Sequence, residues 1–128
     1  MQYEYFYGVQ AEQFSFYRIP KALFTEPNFR ELSTDAKVLY GILLDRMSLS
    51  LKNQWLDAQN KVYIIFTVEE IMDALNCANQ KATRLMVELE KQAGLIERKR
   101  QGLGRPNLIC VKNFAATINV KSCEKSDS

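Results

Sequence analysis

Residues 95–111 read LIERKRQGLGRPNLICV. Two strand-compatible runs flank a centre that holds Gly102, Gly104, Arg105 and Pro106, a pattern that predicts a β-hairpin. The connection is too long and too basic for a plain turn, with Arg98, Lys99, Arg100 and Arg105 along it. Such a hairpin is either a solvated turn that carries charge for solubility or a wing that lies along DNA. Taken alone it fits both, and the residues before it discriminate.

Immediately upstream, Asn79 opens a segment whose apolar residues Ala82, Leu85, Met86 and Leu89 recur at helical spacing, with Gly94 as the stop just past its end. Before it, Asn76, Cys77 and Ala78 make a tight connection. Before that, Thr67 with Glu70 three residues on is a capping box, and Val68, Ile71, Met72 and Leu75 supply the stripe of a short helix ending near Leu75. Residues 62–66 are a β-prone run, and the polar stretch 53–60 reads as a connection. The longest helical signal covers residues 34–51. Ser33 is its N-cap, Asp35 an acid in its first turn, and Val38, Leu39, Ile42, Leu43 and Met47 its inward stripe. Gly41 inside that helix costs about 1 kcal/mol against alanine and marks a close contact with a neighbouring helix. Further back, Pro20 suits the first position of a short helix over 20–24, and alternation at Phe14, Phe16 and Arg18 predicts a short strand. The tyrosine-rich start (Tyr3, Tyr5, Phe6, Tyr7) reads as an arm over residues 1–13, and the polar end as a tail or linker over 115–128.

Helix, short strand, short helix, tight turn, helix and basic hairpin, in that order, make an α+β, mainly α, winged helix-turn-helix over residues 14–114, with a two-stranded basic wing. In that layout the second helix of the pair enters a major groove. With the Ala82/Leu85/Met86/Leu89 stripe inward, the outward face carries Asn79, Gln80, Lys81, Thr83, Arg84 and Val87. The residue types fit base reading: Asn or Gln pairs bidentately with adenine, Arg with guanine, and Thr meets a thymine methyl or a phosphate. Lys81 and the helix N-terminus suit phosphates, and Arg105 at the glycine-flanked tip suits a minor groove or its backbone.

Bulk properties narrow the classes. At 128 residues, 47% hydrophobic and 25% charged, the chain is one ordinary folded domain. No apolar run reaches bilayer length and the start lacks a signal-peptide pattern, so a cytoplasmic location and no membrane partner are expected. Histidine is absent, which removes the usual triads and the commonest general base. Cys77, Cys110 and Cys123 have no CxxC spacing, so neither a zinc site nor any other metal or cofactor is expected, and the thiols read as unpaired. The expectation is a non-enzyme. Net charge is only +2, but residues 1–75 hold seven Lys/Arg against ten Asp/Glu, and residues 76–112 hold eight against three. A basic end on an acidic body suits a polyanion.

Four blocks in order, FYRIPKALF, LSTDAKVLYGILLDRMSLS, VYIIFTVEEIMDALNC and KATRLMVELEKQAGLIERKRQGLGRPNLICVKNF, resemble the N-terminal domain of the RepA-type replication initiators of Gram-positive plasmids and mobile elements. The resemblance covers residues 14–114. It implies a winged-helix domain that binds repeated double-stranded DNA sequences at a plasmid origin, commonly as a homodimer. A separate C-terminal domain would contact host replication proteins. Carried over by position, it implies a recognition face of Asn79, Gln80, Lys81, Thr83 and Arg84, and a wing contact of Lys99, Arg100, Gln101 and Arg105. The chain stops at Ser128, so a portion of a longer initiator and a lone domain both remain open. Two other functions fit the same pattern: a winged-helix transcriptional regulator, and a protein-interaction winged helix whose basic hairpin docks an acidic partner.

Overall fold

The computed structural model describes residues 2–8 and 14–114. The tail expected over 115–128, Cys123 and part of the expected arm lie outside the described residues. Residues 2–8 are exposed and carry no regular secondary structure.

Helix α2, Thr34–Lys52, is the centre of the molecule. Ser33 starts it as expected: its Oγ accepts from the Ala36 amide at 3.2 Å and its carbonyl from the Lys37 amide at 3.1 Å. Ala36, Leu39, Tyr40, Ile42 and Leu43 are all buried, a band wider than one face, because α2 has neighbours on several sides. Leu39 and Leu43 have no exposed surface, each contributing roughly 1.5–3 kcal/mol by burial. Tyr40 enters this core because its hydroxyl donates to the Lys112 carbonyl at 2.9 Å. The same burial pushes its pKa up to about 12.

Upstream of α2 the chain departs from the sequence expectation. Residues 14–18 form no strand. A strand needs a ladder partner; here the segment instead lays Arg18 and Ile19 against α2, beside Gly41. A Cβ at Gly41 would stand 2.8 Å from Ile19 Cγ1 and 3.0 Å from the Arg18 carbonyl oxygen. Gly41 therefore does mark a close approach, but to this extended segment and not to another helix. The short helix α1 runs Ala22–Thr25, so Pro20 lies before its cap, Lys21, and not at its first position. A 3-10 turn, Pro27–Phe29, leads into α2.

Strand β1 is only Ile64–Ile65; Val62, at the start of the β-prone run, makes an isolated bridge to Leu56. That bridge and the Trp55–Tyr63 ring stack turn the expected connection into a small antiparallel loop. Helix α3, Val68–Leu75, begins with the full capping box of Thr67 and Glu70 and ends at Asn76 in the left-handed conformation (φ 52°). After the turn comes α4, Asn79–Val87, extended by a π-helical turn, Glu88–Gln92. Gly94, at φ 66°, stops it, a conformation glycine adopts without strain.

Strands β2, Ile96–Lys99, and β3, Leu108–Val111, pair antiparallel with Ile96 opposite Val111 and Lys99 opposite Leu108. β3 also pairs with β1, giving a three-stranded sheet in the order β1-β3-β2. Ile64, Ile96 and Ile109 seat this sheet in the core beside Leu39, Ile71 and Leu85. The wing is thus rooted in the core at one end, and its loop, residues 100–107, is exposed throughout.

Candidate nucleic-acid interface

The inward stripe of α4 fixes which side chains point out. Ala82, Leu85, Met86 and Leu89 are buried. Asn79, Gln80, Thr83 and Arg84 are exposed, Lys81 is half-buried, and Val87 is 38% exposed. No side chain caps the start of α4: its cap residue is Ala78, whose methyl accepts nothing. First-turn amides without a side-chain acceptor, together with the helix dipole, favour an anion there. Thr83 Oγ1 lies 3.5 Å from Asn79 Oδ1, the outer limit of a hydrogen bond, so both polar ends are available for other partners.

The cations differ in what already holds them. Lys81 Nζ is 2.6 Å from an Asp35 carboxylate oxygen at the first turn of α2. Arg98 is clamped by Glu90, which accepts from its Nε at 3.0 Å, from its Nη2 at 2.8 Å and from its backbone amide at 3.2 Å. Those bonds hold Glu90 below the ordinary glutamate value. Lys99 reaches across to Asp57 at 3.3 Å. The Lys61 and Gln59 amides bind the other oxygen of Asp57, and these bonds, with Lys99, hold it below the ordinary aspartate value. The carboxylate in turn pushes Lys99 up. Among the described residues, Arg84, Arg100 and Arg105 have no ion pair.

The charge separation along the sequence is therefore partly cancelled in space. Asp35 and Asp57, from the acidic first part, take Lys81 and Lys99 from the basic part. On the outward face of α4 and in the wing loop, Arg84, Arg100 and Arg105 stay uncompensated.

That loop is shaped by Gly102 and Gly104, at φ 117° and 77°. The Gln101 side-chain amide donates to the Pro106 carbonyl at 2.8 Å, and the Arg105 amide to the Gly102 carbonyl at 3.3 Å, so its base is braced. Leu103 at the apex is fully exposed. Behind the loop, Arg105, Pro106 and Asn107 line a cleft of about 260 Å³ with Val68 and Glu69 of α3 and Met86 of α4. The structure so brings the wing alongside the α3–α4 pair. Cys77 and Cys110 are free, and burial pushes the Cys110 thiol up, away from reactivity.

Several contributors escaped the sequence reading. Glu88 sits beside the buried stripe of α4 and is itself only 8% exposed, because its carboxylate accepts from the Ser33 amide and the Ser33 hydroxyl, both at 2.9 Å. The carboxylate lies at the N-terminus of α2, where the dipole favours it, and pins the end of α4 to that helix. Asp35 reads in the sequence only as a first-turn acid of α2, and Asp57 and Glu90 carry no signal there; tertiary structure brings the three to their cations. Leu103 carried no periodic signal at all.

Among the described residues no helix is long and apolar enough to cross a membrane, and no three metal-ligating side chains are grouped.

Residues 15–125 match the family described as Replication initiator protein A (RepA) N-terminus. A relative described as "41 kDa protein" from Lactobacillus helveticus is 32% identical over 92 residues, 72% of this chain and 26% of that protein. The chain thus spans about a quarter of the length of this curated relative. A solved structure described as "N-Terminal domain of DNA binding protein" is 35% identical, with a TM-score of 0.72, covering 99% of this chain and 98% of that one. A second, "Structure of Rep-DNA complex", is 35% identical at a TM-score of 0.72, covering 98% of both chains. A third, "Structure of MDR initiator", is 37% identical at 0.70, covering 98% of this chain and 99% of that one. In fold and in sequence across nearly its whole length, the chain belongs to the family of replication initiator protein A N-terminal domains, a winged helix with a three-stranded sheet.

Proposed function

We propose that this chain binds double-stranded DNA sequence-specifically, as the origin-recognition unit of a plasmid replication initiator. The observation that carries the proposal is the group of unpaired arginines on this side of the domain, Arg84 on the outward face of α4 and Arg100 and Arg105 on the wing loop, where the neighbouring Lys81, Arg98 and Lys99 are each held by an acid. Asn79, Gln80 and Arg84 read base edges in a major groove, and Thr83 meets a thymine methyl or a phosphate. Lys81, with the open start of α4, binds backbone. Arg100 and Arg105, with Gln101, meet the phosphates or minor groove beside it. Lys99 acts at the root of the wing, through its pair with Asp57, more than at the DNA. A relative solved in a Rep–DNA complex supports this reading.

The unit acts without catalysis, cofactor or metal, in the cytoplasm, on residues 14–114, with the N-terminal arm and the polar tail outside the reading unit. Pairing of two copies would match repeated sites, and contacts with host replication proteins would fall to other parts of a longer initiator. Nuclease protection of DNA surrounding this protein's coding region tests the proposal. The expected result is a set of repeated protected stretches; uniform cleavage at saturating protein overturns it. Protected stretches confined to a promoter would favour a transcriptional regulator instead.

A further inference from the structure

We propose that Asp35 competes with DNA phosphate for Lys81, and that Lys81 exchanges the one for the other when α4 meets a duplex. The inference rests on the DNA-binding reading of α4 and adds an acidic residue that sets how tightly the domain holds any DNA.

Asp35 lies in the first turn of α2, and Lys81 in the first turn of α4 among the outward residues Asn79, Gln80 and Arg84. Their charged ends are 2.6 Å apart, and both side chains keep about half their surface in water. An exposed pair of this kind contributes little to stability, so Lys81 is free to leave. Among the described residues Asp35 has no other partner; Lys81 alone neutralises it.

The second acid–lysine pair is built differently. Asp57 is tied by two backbone amides at 2.8 and 2.9 Å before Lys99 reaches it at 3.3 Å, and its side chain is 12% exposed. Taking Lys99 away would strand a largely buried carboxylate, whereas taking Lys81 away returns Asp35 to water. One pair is built to persist and the other to exchange.

Two consequences follow from the chemistry. A phosphate approaching the start of α4 must displace a carboxylate already in place, and that carboxylate then stands unpaired beside the DNA. Both effects weaken binding, and because phosphates are the same in every sequence they weaken it uniformly. When Asp35 is released it also gains a counterion, which offsets part of the counterion release that drives association.

The test compares wild type, Asp35→Asn, Lys81→Gln and the double variant by anisotropy on two duplexes, one drawn from DNA around the coding region and one of random sequence. Asp45→Asn, an exposed acid further along α2, controls for net charge. Thermal melts confirm that each variant folds. The expected result is that Asp35→Asn tightens both duplexes by about threefold to tenfold with their ratio unchanged, and steepens the salt dependence. The gain should vanish in the Lys81→Gln background. No gain, an equal gain from Asp45→Asn, or a gain that survives without Lys81 overturns the exchange while leaving DNA binding intact. Failure of wild type to bind either duplex at low salt overturns the reading beneath it.

Discussion

Replacing Glu88 with alanine should damage this domain more than any substitution on the outward face of α4. The Glu88 carboxylate is 8% exposed and accepts two hydrogen bonds from Ser33, both 2.9 Å long. Bonds to a charged acceptor contribute about 1.5–3 kcal/mol each, and the part-buried Ser33 amide left without a partner costs up to a further ~1–3 kcal/mol. Against this stand the better helix propensity of alanine and the removal of a desolvated charge, which return roughly half of the loss. The net expectation is about 3 kcal/mol, which for a domain of this size lowers Tm by on the order of 10 °C. Glu88→Gln keeps one carbonyl acceptor for Ser33 and should cost about half as much. Urea denaturation followed by circular dichroism reads both variants. A loss below about 1 kcal/mol for Glu88→Ala would mean that the buried carboxylate is not the pin between α2 and α4, and the argument for it would fall.

Gly41→Ala gains up to about 1 kcal/mol in helix propensity but drives a Cβ to 2.8 Å from Ile19 and 3.0 Å from the Arg18 carbonyl. The clash with backbone should win, with a net loss of about 1–2 kcal/mol in the same denaturation assay; a stabilised variant would show that residues 18–19 do not pack on α2 as described. Arg84→Ala should cost about 1–3 kcal/mol on a specific duplex and relax its sequence preference, while Arg105→Ala weakens all duplexes more evenly and flattens the salt slope. Unchanged binding in anisotropy titrations removes the residue concerned from the interface. Glu90 is held below its ordinary value by Arg98, so its contribution is present above the ordinary carboxylate range and is lost as pH falls through the depressed value. Glu90→Gln should therefore narrow the stability gap between neutral and acidic solution, and an undiminished gap would assign the acid sensitivity to other carboxylates.

Local signals carried most of the architecture. The capping box at Thr67 and Glu70, the Ser33 cap, the stripe of α4 and the glycine stop at Gly94 each involve residues within a few positions of one another, and each stands in the structure as read. Where the decisive contact is distant in sequence, the reading failed. The alternation at Phe14, Phe16 and Arg18 had no ladder partner to make it a strand, and Trp55 was not expected to stack on Tyr63. The candidate site shows the same division. Which residues of α4 face outward follows from its inward stripe, but which cations are already neutralised does not. The Lys99–Asp57 pair spans 42 positions and the Ser33–Glu88 pair 55. Nothing near Lys81 in the sequence announces Asp35. Counting basic residues does not separate the four cations of the hairpin, of which Arg98 and Lys99 are each paired with an acid and Arg100 and Arg105 are not.

The central claim is that the outward face of α4 and the wing loop hold DNA by sequence. Its most direct test is an anisotropy titration of the protein against a fluorescent duplex from the DNA surrounding its coding region, at several salt concentrations and with unrelated duplex as competitor. The account predicts binding that survives the competitor and weakens log-linearly with salt through counterion release. Binding abolished by the competitor, or none at the lowest salt, would contradict it and leave the basic wing to a protein partner.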